Sequence, residues 1–156
     1  MIRPAVPADV PTILRFVREL AAFEREPDAV RATEPMLAEA LFGARPAAEA
    51  VLAEFDGEAV GFALFFHNFS TWTGRRGLYL EDLYVTPEGR GRGAGAALLR
   101  HLARIALDRG CARFEWSVLD WNADAIAFYR AMGAVGQEEW TVQRVSGDAL
   151  TRLAGR

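Results

Sequence analysis

Glu88-Gly89-Arg90-Gly91-Arg92-Gly93-Ala94-Gly95 stands between a strand-like run, Leu78 to Val85, and an apolar helix-like run, Ala96 to Leu107. Alternate glycines from 89 to 95 let backbone N–H groups turn inward and approach a ligand that a Cβ would hold off. The following helix adds the partial positive charge of its N-terminus where those amides converge. Arg90 and Arg92 can grip phosphate oxygens in forked hydrogen bonds. The stretch therefore predicts a pyrophosphate cradle at a strand-to-helix junction. Three other readings compete. A flexible linker would not abut a β-rich run and a long amphipathic helix. An RNA-binding arginine-glycine segment would want repeats, a basic chain and interleaved aromatics. A dinucleotide turn, Gly91-x-Gly93-x-x-Ala96 with Asp120 as the ribose acid, arrives after half the chain and leaves few residues for further parallel strands.

The chain has 156 residues, 51% hydrophobic and 25% charged, which predicts one domain over 1–156 with a sizeable core. A net charge of −3 argues against nucleic acid as a partner, while a small anionic cofactor needs only a local basic patch. All 18 basic residues are arginine, and no mechanism is taken from that. Cys111 is the single cysteine and the first residues carry no charged-then-apolar leader, so a reducing cytoplasm is expected. Cys111 itself reads as a small buried packing residue. No apolar run is long enough for a membrane span. His67 and His101 are far apart, and no metal site is expected.

Outward from the glycine stretch, Ile2-Arg3-Pro4 reads as a short strand. Asp9 can cap a helix whose apolar positions Val10, Ile13, Leu14, Val17, Leu20 and Ala21 recur at helical spacing to about Phe23. Thr33-Glu34-Pro35 opens a second, short helix. Glu49 to Phe55 and Ala59 to Phe66 flank Asp56-Gly57, a hairpin signal. After the central helix, Arg113 to Leu119 reads as a strand, and Asn122 caps a helix that Gly133 ends. A last strand or hairpin is expected over Val135 to Val145, then a tail helix from Asp148. The order β-α-α-β-β-β-α-β-α-β predicts an α/β (α+β) domain with a mixed sheet between helices.

Arg90-x-x-Gly93-x-Gly95 resembles the Arg/Gln-x-x-Gly-x-Gly/Ala motif of the GNAT acetyltransferase superfamily. Ile2 to Ala5, Tyr79 to Val85, Asp120-Trp121-Asn122 and Phe128-Tyr129-x-x-x-Gly133-Ala134 extend the likeness to its diamine acetyltransferase branch over essentially the whole chain. Phe69-Ser70-Thr71-Trp72, Val118 to Asn122 and Gly147-Asp148-Ala149 are similar to the thialysine type. The polyamine type tends to carry an acidic residue where Ser70 stands, and its loss would weaken binding of a distal ammonium.

The resemblance implies an acyl-CoA N-acyltransferase fold with a mostly antiparallel sheet, acetyl-CoA as co-substrate, a small amine as acceptor and a homodimer. It implies a coenzyme site of Arg90, Gly91, Arg92, Gly93, Ala94, Gly95 and Ala96, with Leu83, Tyr84 and Val85 offering strand-edge groups to the pantetheine arm, and Asn122 and Ala125 completing it. An ammonium has no lone pair, so a base must act first. Glu81 is implied as that base, through a water, and strict alternation would put it on the face opposite Asp82. Tyr129 is implied as the acid that protonates the departing thiolate. Phe23, Glu24, Trp72, Glu81, Glu138 and Glu139 are implied to line the amine site, with Glu138 and Glu139 as alternatives. Two other functions stay open: a non-catalytic acyl-CoA sensor, and a nucleotide-dependent oxidoreductase.

Overall fold

The computed structural model describes all residues from Met1 to Arg156. They form two units, Met1–Leu119 and Asp120–Arg156. The first holds a five-stranded sheet in the order β1 (Ile2–Pro4), β2 (Glu49–Phe55), β3 (Glu58–Ser70), β4 (Arg75–Val85) and β5 (Arg113–Glu115). Neighbours are antiparallel except β4 and β5, which run parallel. The turn at Asp56-Gly57 has positive φ at both residues, the backbone that a tight right-twisted hairpin demands. Three antiparallel strands thus precede the glycine loop, as expected, though β3 and β4 extend to a turn over 71–74.

Helix α1 (Val10–Phe23) and helix α2 (Glu34–Phe42) cover one face, and α3 (Ala94–Asp108) covers the other. On the first face Phe16 of α1 stacks on Phe62 at 5.8 Å and meets Tyr84 at 5.8 Å. Around this trio Ile13, Leu41, Ala50 and Leu52 are buried, with Leu64 packed against them. On the second face Arg109, just past α3, lies 5.9 Å over Phe65 and donates to Glu49 at 2.5 and 2.9 Å. That pairing holds the Glu49 carboxyl below the usual carboxylate range.

Several expectations need correction. Asp9 does not cap α1 with its side chain. It takes two hydrogen bonds from Arg3, at 2.7 and 2.9 Å, and one from the Val6 N–H, a charge-assisted fork that outweighs a neutral cap. Thr33 does cap α2, its hydroxyl accepting the Met36 N–H. Strand β5 stops at Glu115 rather than Leu119, and Cys111 is half-buried rather than buried.

In the second unit, α4 (Ala123–Ala131) starts at Asn122, whose Oδ1 accepts the Ala125 N–H at 3.2 Å, and α5 (Gly147–Leu153) follows. No strand forms over Val135 to Val145. The β-favouring residues Trp140, Val142 and Val145 are exposed, because a strand needs a ladder partner and this stretch has none within the unit. No residue after Leu119 is fully buried.

Candidate active site

The glycine stretch is built as a turn, an open loop and a helix start. Thr86, the one buried polar residue, accepts the Gly89 N–H on its hydroxyl at 3.2 Å. Gly89 is tight for a second reason: a Cβ there would stand 2.9 Å from Val60. Gly93, at the N-cap of α3, has φ +82°, backbone that favours glycine. From Gly91 to Ala96 no backbone N–H has an acceptor within the chain. Arg92 rests 4.0 Å over Phe55. Arg90 donates through Nε to the Val85 carbonyl at 3.1 Å and lies 5.4 Å over Phe23 and 6.0 Å over Tyr84. Free amides, a helix N-terminus and two guanidinium groups converge here, which is what a pyrophosphate requires.

The strand leading into the loop is half open. β5 pairs with β4 only at Gly77, Leu78 and Tyr79, so from Leu80 to Val85 that edge of β4 carries no strand. The Thr86 N–H donates to the Val60 carbonyl at 2.8 Å. By the two-residue alternation of an antiparallel ladder, Tyr84 and Asp82 turn their main-chain groups to β3, while Leu83 and Val85 turn theirs to the open edge. Those are the two residues expected to pair with an extended amide-bearing chain.

The opening begins at a bulge. Leu64 pairs with Asp82 but Phe65 with Leu80, so Glu81 is an extra residue in β4. Cross-strand partners share a face. Leu64 belongs to the core under α1, and Phe66, on the same face, meets the Tyr79 ring at 5.2 Å. Tyr79 and Asp82 therefore lie on one face although three positions apart, which uninterrupted alternation forbids. The bulge resets the parity, so Asp82 lies on the α1 face with Tyr79.

The acidic groups of this region are Glu24, Glu81 and Asp82. Glu24 follows α1 and is half-buried, and burial raises its carboxyl. Asp82 is half-buried and pushed up to about 6, first by burial and then by the negative charges of Glu81 and Glu24. Glu81 is exposed. Burial pushes the Tyr84 hydroxyl up to about 12, helped by a hydrogen bond from it to Glu19, so it stays protonated.

Phe23 is 46% exposed with Arg90 above it, beside Glu24. Trp72 is not brought to this group within the unit. It sits at the β3–β4 turn, 81% exposed, and the run from Arg75 to Glu81 alone spans roughly 20 Å at the usual strand rise. In the second unit Tyr129 is half-buried on α4, its ring 5.5 Å from Phe128. Glu138 reaches Arg130 at 3.8 Å and Glu139 is exposed. A larger cleft of about 860 Å³, lined in part by Leu41, Glu49, His67, Phe69 and Arg76, holds none of the expected site residues. No cluster of metal-ligating side chains occurs.

With this geometry in view, the known relatives are informative. A family model described as Acetyltransferase (GNAT) family matches residues 14–134. The chain belongs to the GNAT acetyltransferase family and is an acetyl-CoA-dependent N-acetyltransferase. It is 41% identical to the thialysine N-epsilon-acetyltransferase of Sus scrofa, over 100% of this chain and 98% of the relative. It is 33% identical to an L-ornithine N5-acetyltransferase of Arabidopsis thaliana, over 97% of this chain and 86% of that one. Among solved structures, an integron cassette protein from the mobile metagenome of V. cholerae aligns with a TM-score of 0.82 at 28% identity, covering 100% of this chain and 98% of the other. The unsatisfied amides of Gly91 to Ala96 fit the diphosphate of the acetyl donor that this family uses.

Proposed function

We propose that this enzyme acetylates the primary amine of a small cationic metabolite, a thialysine-like amino acid or a diamine, in preference to spermidine and spermine. The observation that carries the reading is the placing of Glu81 and Asp82 on β4, with Glu24 at the end of α1 acting on Asp82, beside an open strand edge that runs into the amide-lined loop. A cation is attracted to the first feature and a diphosphate with an amide-bearing arm to the second. The full-length likeness to enzymes named for thialysine and for ornithine supports the same substrate class.

In this reading the coenzyme's diphosphate is held by the loop amides with Arg90 and Arg92, and its arm by Leu83, Val85 and Asn122, with Tyr84 and Ala125 alongside. The acceptor's cationic head sits against Glu24, Phe23 and one of Glu138 or Glu139. Glu81 takes the ammonium proton through a water, and the freed lone pair attacks the thioester carbon. The N–C bond forms, the C–S bond breaks, and Tyr129 protonates the leaving thiolate. The whole chain acts as a single catalytic domain in the cytoplasm. It works as a homodimer, the state that the resemblance to the diamine acetyltransferase branch implies.

The test is acetyl-CoA-dependent thiol release with thialysine, lysine, ornithine, putrescine, spermidine and spermine, with Tyr129→Phe in parallel. Thialysine or ornithine turning over well above spermidine, with a large loss of kcat in the variant, is the expected result. A preference for spermine would refute the substrate assignment. Coenzyme binding without turnover of any amine would instead indicate a sensor.

A further inference from the structure

The bulge at Glu81 turns the next carboxylate, that of Asp82, onto the α1 face of the sheet. Asp82 shares its face with Tyr79 and Tyr84, under the end of α1, with Leu64 opposite on β3. It makes no hydrogen bond or ion pair within the chain, and the charged groups that act on it, Glu81 from its own strand and Glu24 from the end of α1, are both negative. Arg90, bound to the Val85 carbonyl and stacked on Phe23 and Tyr84, is not among the charges that act on it. An anion kept half out of water with only anions for neighbours is costly unless a cation arrives from outside. The open β4 edge beside it is where the acceptor must approach the acetyl group.

Building on the acetyltransferase reading above, we infer that Asp82 is a further substrate-binding and specificity-determining residue, its carboxylate holding the acceptor's ammonium together with Glu81 and Glu24. Its role is distinct from that of Glu81. Glu81 is the exposed residue of the bulge, able to pass a proton to water, whereas Asp82 is the partly desolvated anchor whose charge is felt strongly at short range. An incoming ammonium would relieve the repulsion among the three carboxylates, so binding should favour the ionised form of Asp82. Below the midpoint near 6 the residue is protonated in the free enzyme and the anchor is lost, so kcat/KM for the amine should fall on the acid side in that range.

The test compares wild type, Asp82→Asn and Asp82→Glu by steady-state kinetics with ornithine and thialysine from pH 5 to 8.5, with KM for acetyl-CoA and thermal melting measured on the same samples. Asp82→Asn is expected to raise the amine KM roughly ten- to hundredfold, the loss typical of a charge-assisted contact, while leaving the acetyl-CoA KM within about twofold. Its kcat/KM profile should lose the acid limb near pH 6. Asp82→Glu should recover part of the affinity and the limb. An unchanged amine KM and acid limb in a well-folded Asp82→Asn protein would overturn the inference while leaving the acetyltransferase reading intact. Parallel rises in the KM of amine and coenzyme would also overturn it, by showing a structural role. A wild type that acetylates no amine at all would remove the acetyltransferase reading, and this inference with it.

Discussion

Replacing Asp82 by Asn deletes one negative charge at nearly constant volume, and it should make the folded protein more stable at neutral pH. The carboxyl midpoint rises from the ordinary 3.8 to about 6 on folding. At 1.36 kcal/mol per tenfold, the ionised form is disfavoured by roughly 3 kcal/mol. Water reaches part of this half-buried side chain, which reduces the expected gain to about 1–2 kcal/mol. The sign follows from proton counts. Between pH 3.8 and about 6 the folded state holds more protons at this site than the unfolded chain, so wild-type stability contributed here is complete below that window and is lost as pH rises through it. The Asn variant has no such loss. Urea unfolding of both proteins at half-unit steps from pH 4.5 to 8 should give a stability difference that starts small, grows in the variant's favour, and levels off above pH 7. A difference that is independent of pH, or a less stable variant at pH 7, would refute the placement of Asp82 among like charges.

Gly93→Ala should fold, because nothing stands within 4 Å of the added Cβ, but the left-handed backbone costs about 1 kcal/mol; calorimetric titration should show weaker acetyl-CoA binding with little change in amine KM. Phe62→Ala removes a fully buried ring stacked on Phe16 and should lower unfolding free energy by about 3–5 kcal/mol in urea titrations. Glu49→Gln breaks the ion pair with Arg109; since Glu49 is held below its ordinary carboxylate range, the wild type should keep a stability advantage above that range and lose it as the medium is acidified, read as converging melting temperatures.

Most of the architecture could be read in the residues themselves. Asp56-Gly57 announced its hairpin, Asn122 and Gly133 bracketed α4, and the alternating glycines marked the loop. The periodic positions of α1 gave Val10, Ile13 and Leu14 correctly but passed over Phe16, which is fully buried at the centre of its face. Two features share one physical cause. A bulge without glycine or proline leaves no local mark in Leu80-Glu81-Asp82, and so both the parity of Asp82 and the early end of β5 were hidden. The stretch Val135 to Val145 was expected as a strand because β-propensity measures how well residues suit a pleated, half-buried surface, whereas a ladder needs a partner that local sequence cannot supply. Thr86 was missed as well, since a lone threonine before a proline looks like any turn residue, and only its burial reveals that it orders the approach to the loop.

The extra residue at Glu81 ties together two properties that would otherwise vary separately. By adding one position to β4 it both parts that strand from β5 beyond Tyr79 and rotates Asp82 onto the α1 side. Deleting a single codon there would be expected to restore regular pleating, zip the edge needed by the acetyl donor, and turn the following carboxylate away from the acceptor in the same stroke. Loss of donor binding and loss of acceptor binding would then be inherited as one event. A lineage changing its preferred amine is thus confined to altering side chains around a fixed strand length, which makes insertions and deletions in this strand far less tolerable than substitutions.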